Sequence, residues 1–285
     1  MKLGISTYSY LRAIESGEWT VLDAIDAAAA LGAAHVEIVP LGFSLNDNPA
    51  LVESIRQRAQ EHGIELSNYA VDGNFSDLDD AAFEAEITRL KAQVDIARAL
   101  GVSRMRHDVA WTGDTSMAHY MTELPRLADA CRRIAAYAAA FGIVTSVENH
   151  GYYVQASDRV LALLHAVVHP NFKATVDIGN FMCADEEPAS AVRSVISKAS
   201  MLHLKDFYKR PAARNPGEGW FPTAGGGMLR GAIVGHGDID IPEVMRIVRT
   251  SGYDGYVSIE FEGMEECRLG TRLGFEYVQR ILQAL

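Results

Sequence analysis

Polar residues able to do chemistry fall at the ends of apolar runs along this chain. The plainest case is TSVENHGYY at 145–153, where Ile143, Val144 and Val147 read as a buried strand and Glu148, Asn149 and His150 follow in a row. Asp177 and Asn180 end the run FKATVDI, His203 and Lys205 sit in MLHLKDF, and Glu260 ends YVSIE. Earlier runs end near Glu37, at Asn68-Tyr69 and at His107-Asp108. Taken singly, each has a bland reading. A lone carboxylate at a strand end caps the next helix, and a lone histidine is a satisfied core residue. Four successive runs ending in Glu148, Asp177, His203 and Glu260 are a different matter. Adjacent strands lie only ~4.8 Å apart, so these side chains converge. Three carboxylates in one pocket repel, and a divalent cation is the partner that resolves the repulsion.

An oxygen-rich set with one imidazole suits Mn²⁺ first, then Mg²⁺ or Co²⁺, with Zn²⁺ left open. It lacks the thiolates of a structural zinc site. One ion per chain, held by Glu148, Asp177, His203 and Glu260, keeps coordination positions for substrate oxygens. Such an ion makes the C–H next to a carbonyl acidic by stabilising enediolate oxygens. Glu148 and Glu260 are then the proton-transfer pair, with His150 as an auxiliary base and His107 or Lys205 binding substrate oxygens. Returning the proton on the other face gives an epimer, returning it to the neighbouring carbon gives an isomer, and expelling a β-substituent gives an elimination. All three share the first step, and the cluster does not separate them.

The elements that must position these residues recur in one local pattern. A helix-like stretch ends, a glycine follows, and a strand starts, at Gly32, Gly63, Gly101, Gly142 and Gly252. Glycine suits the left-handed residue just past a helix end. Helical spacing in VLDAIDAAAAL, LVESIRQRAQEH, AFEAEITRLKAQVDIARAL, LPRLADACRRIAAYAAAF and later segments completes eight strand–helix units. Strands separated by helices pair in parallel. Eight units predict an α/β fold, a (β/α)8 TIM barrel, as a single domain over 1–285. An open doubly wound sheet would show a glycine-rich phosphate turn after the first strand, and Thr7-Tyr8-Ser9-Tyr10 stands there instead.

One segment breaks the rhythm. Residues 206–237 form a long connection after strand seven, rich in Gly and Pro, with Trp220-Phe221 inside. Connections beyond ~15 residues are uncommon without a function, so this one is expected to be lid-like. Trp220 is expected to pack its face on the substrate. Asp240 with Glu243 three residues on reads as the cap of the helix that follows.

Composition narrows the function classes. The formal net charge is −11, the opposite of a typical nucleic-acid binder. The three cysteines form no CxxC pair, and no run approaches the ~18 apolar residues of a membrane span. The start MKLGISTYSY lacks a signal-peptide pattern. The expectation is a cytoplasmic protein with a small-molecule substrate, binding neither nucleic acid nor membrane.

ENH after strand five, VDIGN after strand six, HLKD in strand seven, GHGDID, and GYDGYVSIEFE at strand eight resemble the sugar isomerase/epimerase barrels related to xylose isomerase. The resemblance runs over nearly the whole chain. It implies one divalent metal on Glu148, Asp177, His203 and Glu260, with proton exchange by Glu148 and Glu260 as in the ketose 3-epimerases. It implies a sugar or sugar-derived substrate. Inosose dehydratases, hydroxypyruvate isomerases, three-zinc apurinic endonucleases and C-glycoside-cleaving metal subunits share the family, so a lyase is the alternative reading. A homo-oligomer is expected, and a small partner subunit stays open. Endonuclease and epimerase relatives carry a histidine three residues after the Asp of strand six. Here Asn180 takes that place as an expected substrate contact, which, with the acidic charge, argues against DNA repair.

Overall fold

In the computed structural model, which describes residues 1–285, the first half runs β1 (Lys2–Ser6), α1 (Leu11–Glu15), α2 (Val21–Ala30), β2 (His35–Ile38), α3 (Pro49–His62), β3 (Glu65–Val71), α4 (Asp80–Leu100), β4 (Arg104–His107) and α5 (Met117–Ala139). The second half runs β5 (Val144–Glu148), α6 (Ser157–Val167), β6 (Phe172–Asp177), α7 (Asn180–Cys183), α8 (Pro188–Val195) and β7 (Ala199–Leu204). Then come β8 (Asp206–Arg210), β9 (Phe221–Pro222), β10 (Met228–Ala232), α9 (Ile241–Thr250), β11 (Tyr256–Ile259) and α10 (Cys267–Ala284). Eight parallel strands close a barrel in the order β1-β11-β7-β6-β5-β4-β3-β2. The seam closes at Ile5, which pairs with Ile259 on one side and Val36 on the other.

The glycine joints explain the regularity. Gly63 and Gly101, at φ 64° and 79°, stop α3 and α4 and turn the chain straight into β3 and β4. The other three joints have the same sign of φ. Helices pack one apolar stripe on the barrel. In α4, Phe83, Ile87, Leu90, Val94 and Ala97 are buried at spacings of four and three residues. Each large side chain so buried contributes about 1.5–3 kcal/mol. No helix is long and apolar enough to cross a membrane.

The segment after β7 differs from the expected loop. It carries a three-stranded antiparallel sheet in the order β8-β10-β9, with Met228 opposite both Arg210 and Pro222. Phe207 and Leu229 are buried in it. Trp220 lies beside the guanidinium groups of Arg210 and Arg230, at 5.6 and 5.9 Å.

Asp206 fixes the corner where this sheet leaves the barrel. Its carboxylate accepts backbone N–H bonds from Phe207 (2.8 Å), Gly235 (2.9 Å), Gly237 (2.9 Å) and Ile239 (3.3 Å). A Cβ on Gly237 would lie 2.1 Å from Asp206 Oδ1, so the close approach requires glycine. This pairs the D of HLKD with GHGDID. Asp240 then caps α9, accepting from the Glu243 N–H at 3.0 Å. Asp206→Ala leaves four backbone donors without their acceptor and is expected to cost about 3 kcal/mol. The urea midpoint should fall by the matching amount, and an unchanged midpoint would refute this account of the corner.

Candidate metal centre

The barrel delivers four side chains able to ligate a metal to one point at the C-terminal mouth. Glu148 ends β5, Asp177 ends β6, His203 is the penultimate residue of β7, and Glu260 follows β11. Asp177 pairs in register with His203, and His203 pairs with Ser258. Glu260 lies two residues beyond Ser258 and so shares its face. One ligand atom from each of the four lies within 4.8 Å of the others, and all four residues are buried. His203 Nδ1 is 3.4 Å from Glu260 Oε1 and 3.7 Å from Glu148 Oε1.

The donor atoms are held ready for a cation. His203 Nε2 lies 2.9 Å from Glu37 Oε2, and Asn68 Nδ2 donates to Glu37 Oε1 at 2.7 Å. With Nε2–H given to Glu37, Nδ1 faces the carboxylates. His203 Nδ1 is buried without a hydrogen-bond partner, and Asp177 Oδ2 has only the Lys205 ammonium beside it. A buried polar atom is costly when unsatisfied, and a cation among the carboxylates would give Nδ1 its partner. The other Asp177 oxygen accepts from the Gly179 and Asn180 N–H groups, at 2.8 and 3.0 Å. Asn149 clamps the end of β6 from β5. It donates to Asp177 O at 2.8 Å and accepts the Asp177 N–H at 2.8 Å.

Two cations balance the carboxylates. Arg106 Nε is 2.7 Å from Glu148 Oε2. Lys205 Nζ is 3.1 Å from Asp177 Oδ2, 3.2 Å from Glu260 Oε2 and 3.3 Å from Glu262 Oε2. Burial alone would raise the Glu148 carboxyl, but Arg106 and His203 hold it well below the usual carboxylate range. Burial would lower Lys205, yet Asp177, Glu262 and Glu260 keep it firmly protonated. Asp177 is pushed up to about 6 by burial, against the pull of Lys205. His203 is held well above the usual histidine range, because Glu260, Glu37 and Glu148 outweigh its burial. A cation held by the cluster would take the place of that proton.

The cluster opens on a cavity of about 340 Å³ whose lining includes Tyr8, Arg106, Glu148, His150, Lys205 and Glu260. Its outer wall is the β2–α3 loop, from Val39 to Asn46. His150 reaches Asp108 through Nδ1 at 3.5 Å. Burial would lower this imidazole, but Asp108 and Glu148 raise it above the usual range. Three other candidates lie away from the cavity lining. His107 is buried near Phe75 and Phe172, with Nδ1 2.9 Å from the Asp108 carbonyl. Asn180 donates to Glu148 Oε1 at 3.1 Å. Trp220 sits on the antiparallel sheet.

Arg106 and the Glu37–His203 pair are contacts at the cluster that the linear pattern does not single out. The signal for Arg106 was present: RMRH places a guanidinium at an alternate strand position next to a buried methionine. Glu37→Gln keeps an acceptor for His203 but removes the charge. It is expected to weaken divalent-metal affinity about 10–100-fold, read by chelator competition. Unaltered affinity would remove Glu37 from the centre.

A family model described as xylose isomerase-like TIM barrel matches residues 25–281. Among curated proteins, the chain is 22% identical over 174 residues to an inosose dehydratase of Clostridium perfringens (strain 13 / Type A). That match covers 58% of each protein, so the chain spans less than two thirds of the relative's length. A probable 3-DHS dehydratase involved in petrobactin synthesis from Bacillus anthracis is similar in structure, with a TM-score of 0.76 at 17% identity over 98% of this chain and 99% of that one. A D-allulose 3-epimerase from Methylomonas sp. gives a TM-score of 0.73 at 17% identity, over 99% and 98% of the two chains. At these identities the structural likeness establishes the fold alone.

Proposed function

The chain belongs to the xylose isomerase-like TIM barrel family, and from that premise we propose that it is a divalent-metal-dependent isomerase or epimerase of a keto-sugar or related polyol. The observation that carries the proposal is the buried Glu148–Asp177–His203–Glu260 cluster at the floor of a polar cavity. A divalent ion, Mn²⁺ in the first instance, would be held by Glu148, Asp177, His203 and Glu260 and would polarise the substrate carbonyl and the adjacent hydroxyl. Glu260 takes the proton from the carbon beside that carbonyl. Glu148, oriented by Arg106 at 2.7 Å, relays a proton drawn from solvent to the other side, and Glu260 gives its proton up to solvent to complete the cycle. His150, held by Asp108, is the auxiliary base, and Lys205 binds a substrate oxygen. The β2–α3 loop screens the site from water. A cavity of about 340 Å³ suits one sugar ring.

A second reading is elimination from an oxo-sugar. Lys205 favours it, being a protonated donor 3.2 Å from Glu260 that can supply a leaving group with its proton. The inosose dehydratase likeness supports the same reading. The deciding experiment is solvent-deuterium exchange into a panel of oxo-sugars by metal-loaded protein, followed by NMR and mass spectrometry. Isomerisation or epimerisation adds one deuterium at the carbon beside the carbonyl. Elimination of a hydroxyl lowers the mass by one water. A panel with no exchange and no product overturns both readings.

A further inference from the structure

Beside the catalytic cavity lies a second hollow that the chemistry above leaves unused. Its volume is about 730 Å³, against about 340 Å³ for the cavity. It runs outward between the β3–α4 and β4–α5 loops, along the first turns of α4. One face of α4 supplies Ala82, Ala85, Glu86 and Arg89 to its lining, and the two loops supply Asp72 and Trp111.

Two connections tie this groove to the site. Asp72 and Arg89 line both hollows. Arg89 is fixed between them, with Nη1 3.1 Å from Asp72 Oδ1 and Nη2 2.8 Å from Glu86 Oε1. Trp111 stands edge-on to His150, which lines the cavity, with ring centroids 5.0 Å apart. Trp111 is 44% exposed, yet it is held in place. Its backbone N–H donates to Asn74 Oδ1 at 2.9 Å. Its ring lies against Gly151, where a Cβ would come within 3.0 Å of it. A pinned aromatic ring that leaves nearly half its surface in water is a platform for something not yet in contact with it.

The chemistry of the walls selects the occupant. Trp111 and the two alanines suit the C–H or π face of a ring. Asp72, Glu86 and Arg89 suit hydroxyl groups at its edge. Arg89 is already paired with two carboxylates, so the groove offers no uncommitted cation to an anion. We infer that the groove is a second subsite and that the substrate has two rings: an oxo-sugar in the cavity, carrying a neutral hydroxylated ring that lies on Trp111. This rests on the reading of the cavity as an oxo-sugar site. A second sugar and a polyhydroxylated aromatic group present the same chemistry here.

The test uses the metal-loaded full chain and three probes. They are the oxo-hexose that exchanges fastest in the deuterium panel, the same unit within a disaccharide, and the same unit attached to a polyhydroxylated aromatic ring. At least one two-ring probe should exceed the free oxo-hexose in kcat/KM by tenfold or more, chiefly through KM. The probe that does so identifies the second ring as sugar or aromatic. Ala85 is exposed on α4, so Ala85→Trp fills the groove from a position that tolerates size. It should reduce the ratio of two-ring to one-ring kcat/KM about tenfold, with metal content equal to wild type. Trp111→Ala should reduce the same ratio. Equal kcat/KM for one-ring and two-ring probes overturns the subsite, as does an unchanged ratio in Ala85→Trp. In either case, exchange into the free oxo-hexose leaves the cavity reading standing. Loss of that exchange in wild-type protein sinks the cavity reading and the subsite with it.

Discussion

Glu260→Gln is expected to lower turnover by about 10²–10⁴-fold while one divalent ion per chain stays bound. The amide keeps the volume of the side chain and an oxygen that can face the ion. Lys205 loses one of its three carboxylate neighbours but retains Asp177 at 3.1 Å and Glu262 at 3.3 Å, so it stays paired. What the substitution removes is the capacity to accept a proton. The loss should fall on kcat, with KM nearly constant, because the interaction matters as the C–H bond breaks. Exchange of the substrate proton with solvent separates the candidates. It should vanish in Glu260→Gln if this residue acts first, and persist if Glu148 or His150 does. Full turnover in metal-loaded Glu260→Gln would remove Glu260 as the base and make His150, 3.5 Å from Asp108, the next residue to test.

The contrast between what was legible in the sequence and what was not has a physical cause. Glu148, Asp177, His203 and Glu260 were legible because each sits at the end of an apolar strand, and parallel barrel strands all end on one face. The glycine joints were legible because the left-handed residue after a helix restricts the choice of side chain. His107 and Arg106 show the limit. They are adjacent on β4, so only one of them can point into the barrel, and a short strand with polar residues on both faces leaves that parity undecided. The structure brings Arg106 to the cavity and buries His107 near Phe75 and Phe172. The sheet of β8, β9 and β10 was hidden for a different reason. Its strands are short, and the Gly- and Pro-rich turns between them dominate the composition of 206–237. Glu37 was visible as a strand-end carboxylate. Its pairing with His203 depends on contact across the barrel, between strands 166 residues apart in sequence, which no local pattern encodes.

Chelation is expected to cost this protein stability as well as activity, and the pH dependence of that cost identifies its source. Glu37, Glu148, Asp177 and Glu260 are all buried at one end of the barrel, and Arg106, Lys205 and His203 are the positive groups that face them. Burial pushes the Asp177 carboxyl up to about 6. A carboxyl raised in the folded state contributes its stability below the unfolded value, near 4, and loses it as the pH rises through the folded value. The chelated protein should therefore become less stable between about pH 4 and pH 6, by roughly 3 kcal/mol for a shift of about two units. An ion in the cluster would favour the Asp177 carboxylate and should remove its share of the decline, leaving the share of Asp206, which lies outside the cluster. At a hundredfold excess over Kd, it should also add about 2.7 kcal/mol. Two variants separate charge from ligation. Asp177→Asn removes one buried charge, so the pH 4–6 decline should shrink by the Asp177 share in chelator, while metal affinity and turnover are lost together; the share from Asp206, which burial also pushes up to about 6, should remain. His203→Ala removes a ligand and also leaves Glu37 without its partner, so it should lose metal and be less stable than wild type even in chelator. Thermal unfolding and metal analysis after reconstitution read all of these outcomes. The same unfolding temperature with and without chelator across this pH range would sink the metal centre, and three tightly held zinc ions in place of one would favour an endonuclease-type site.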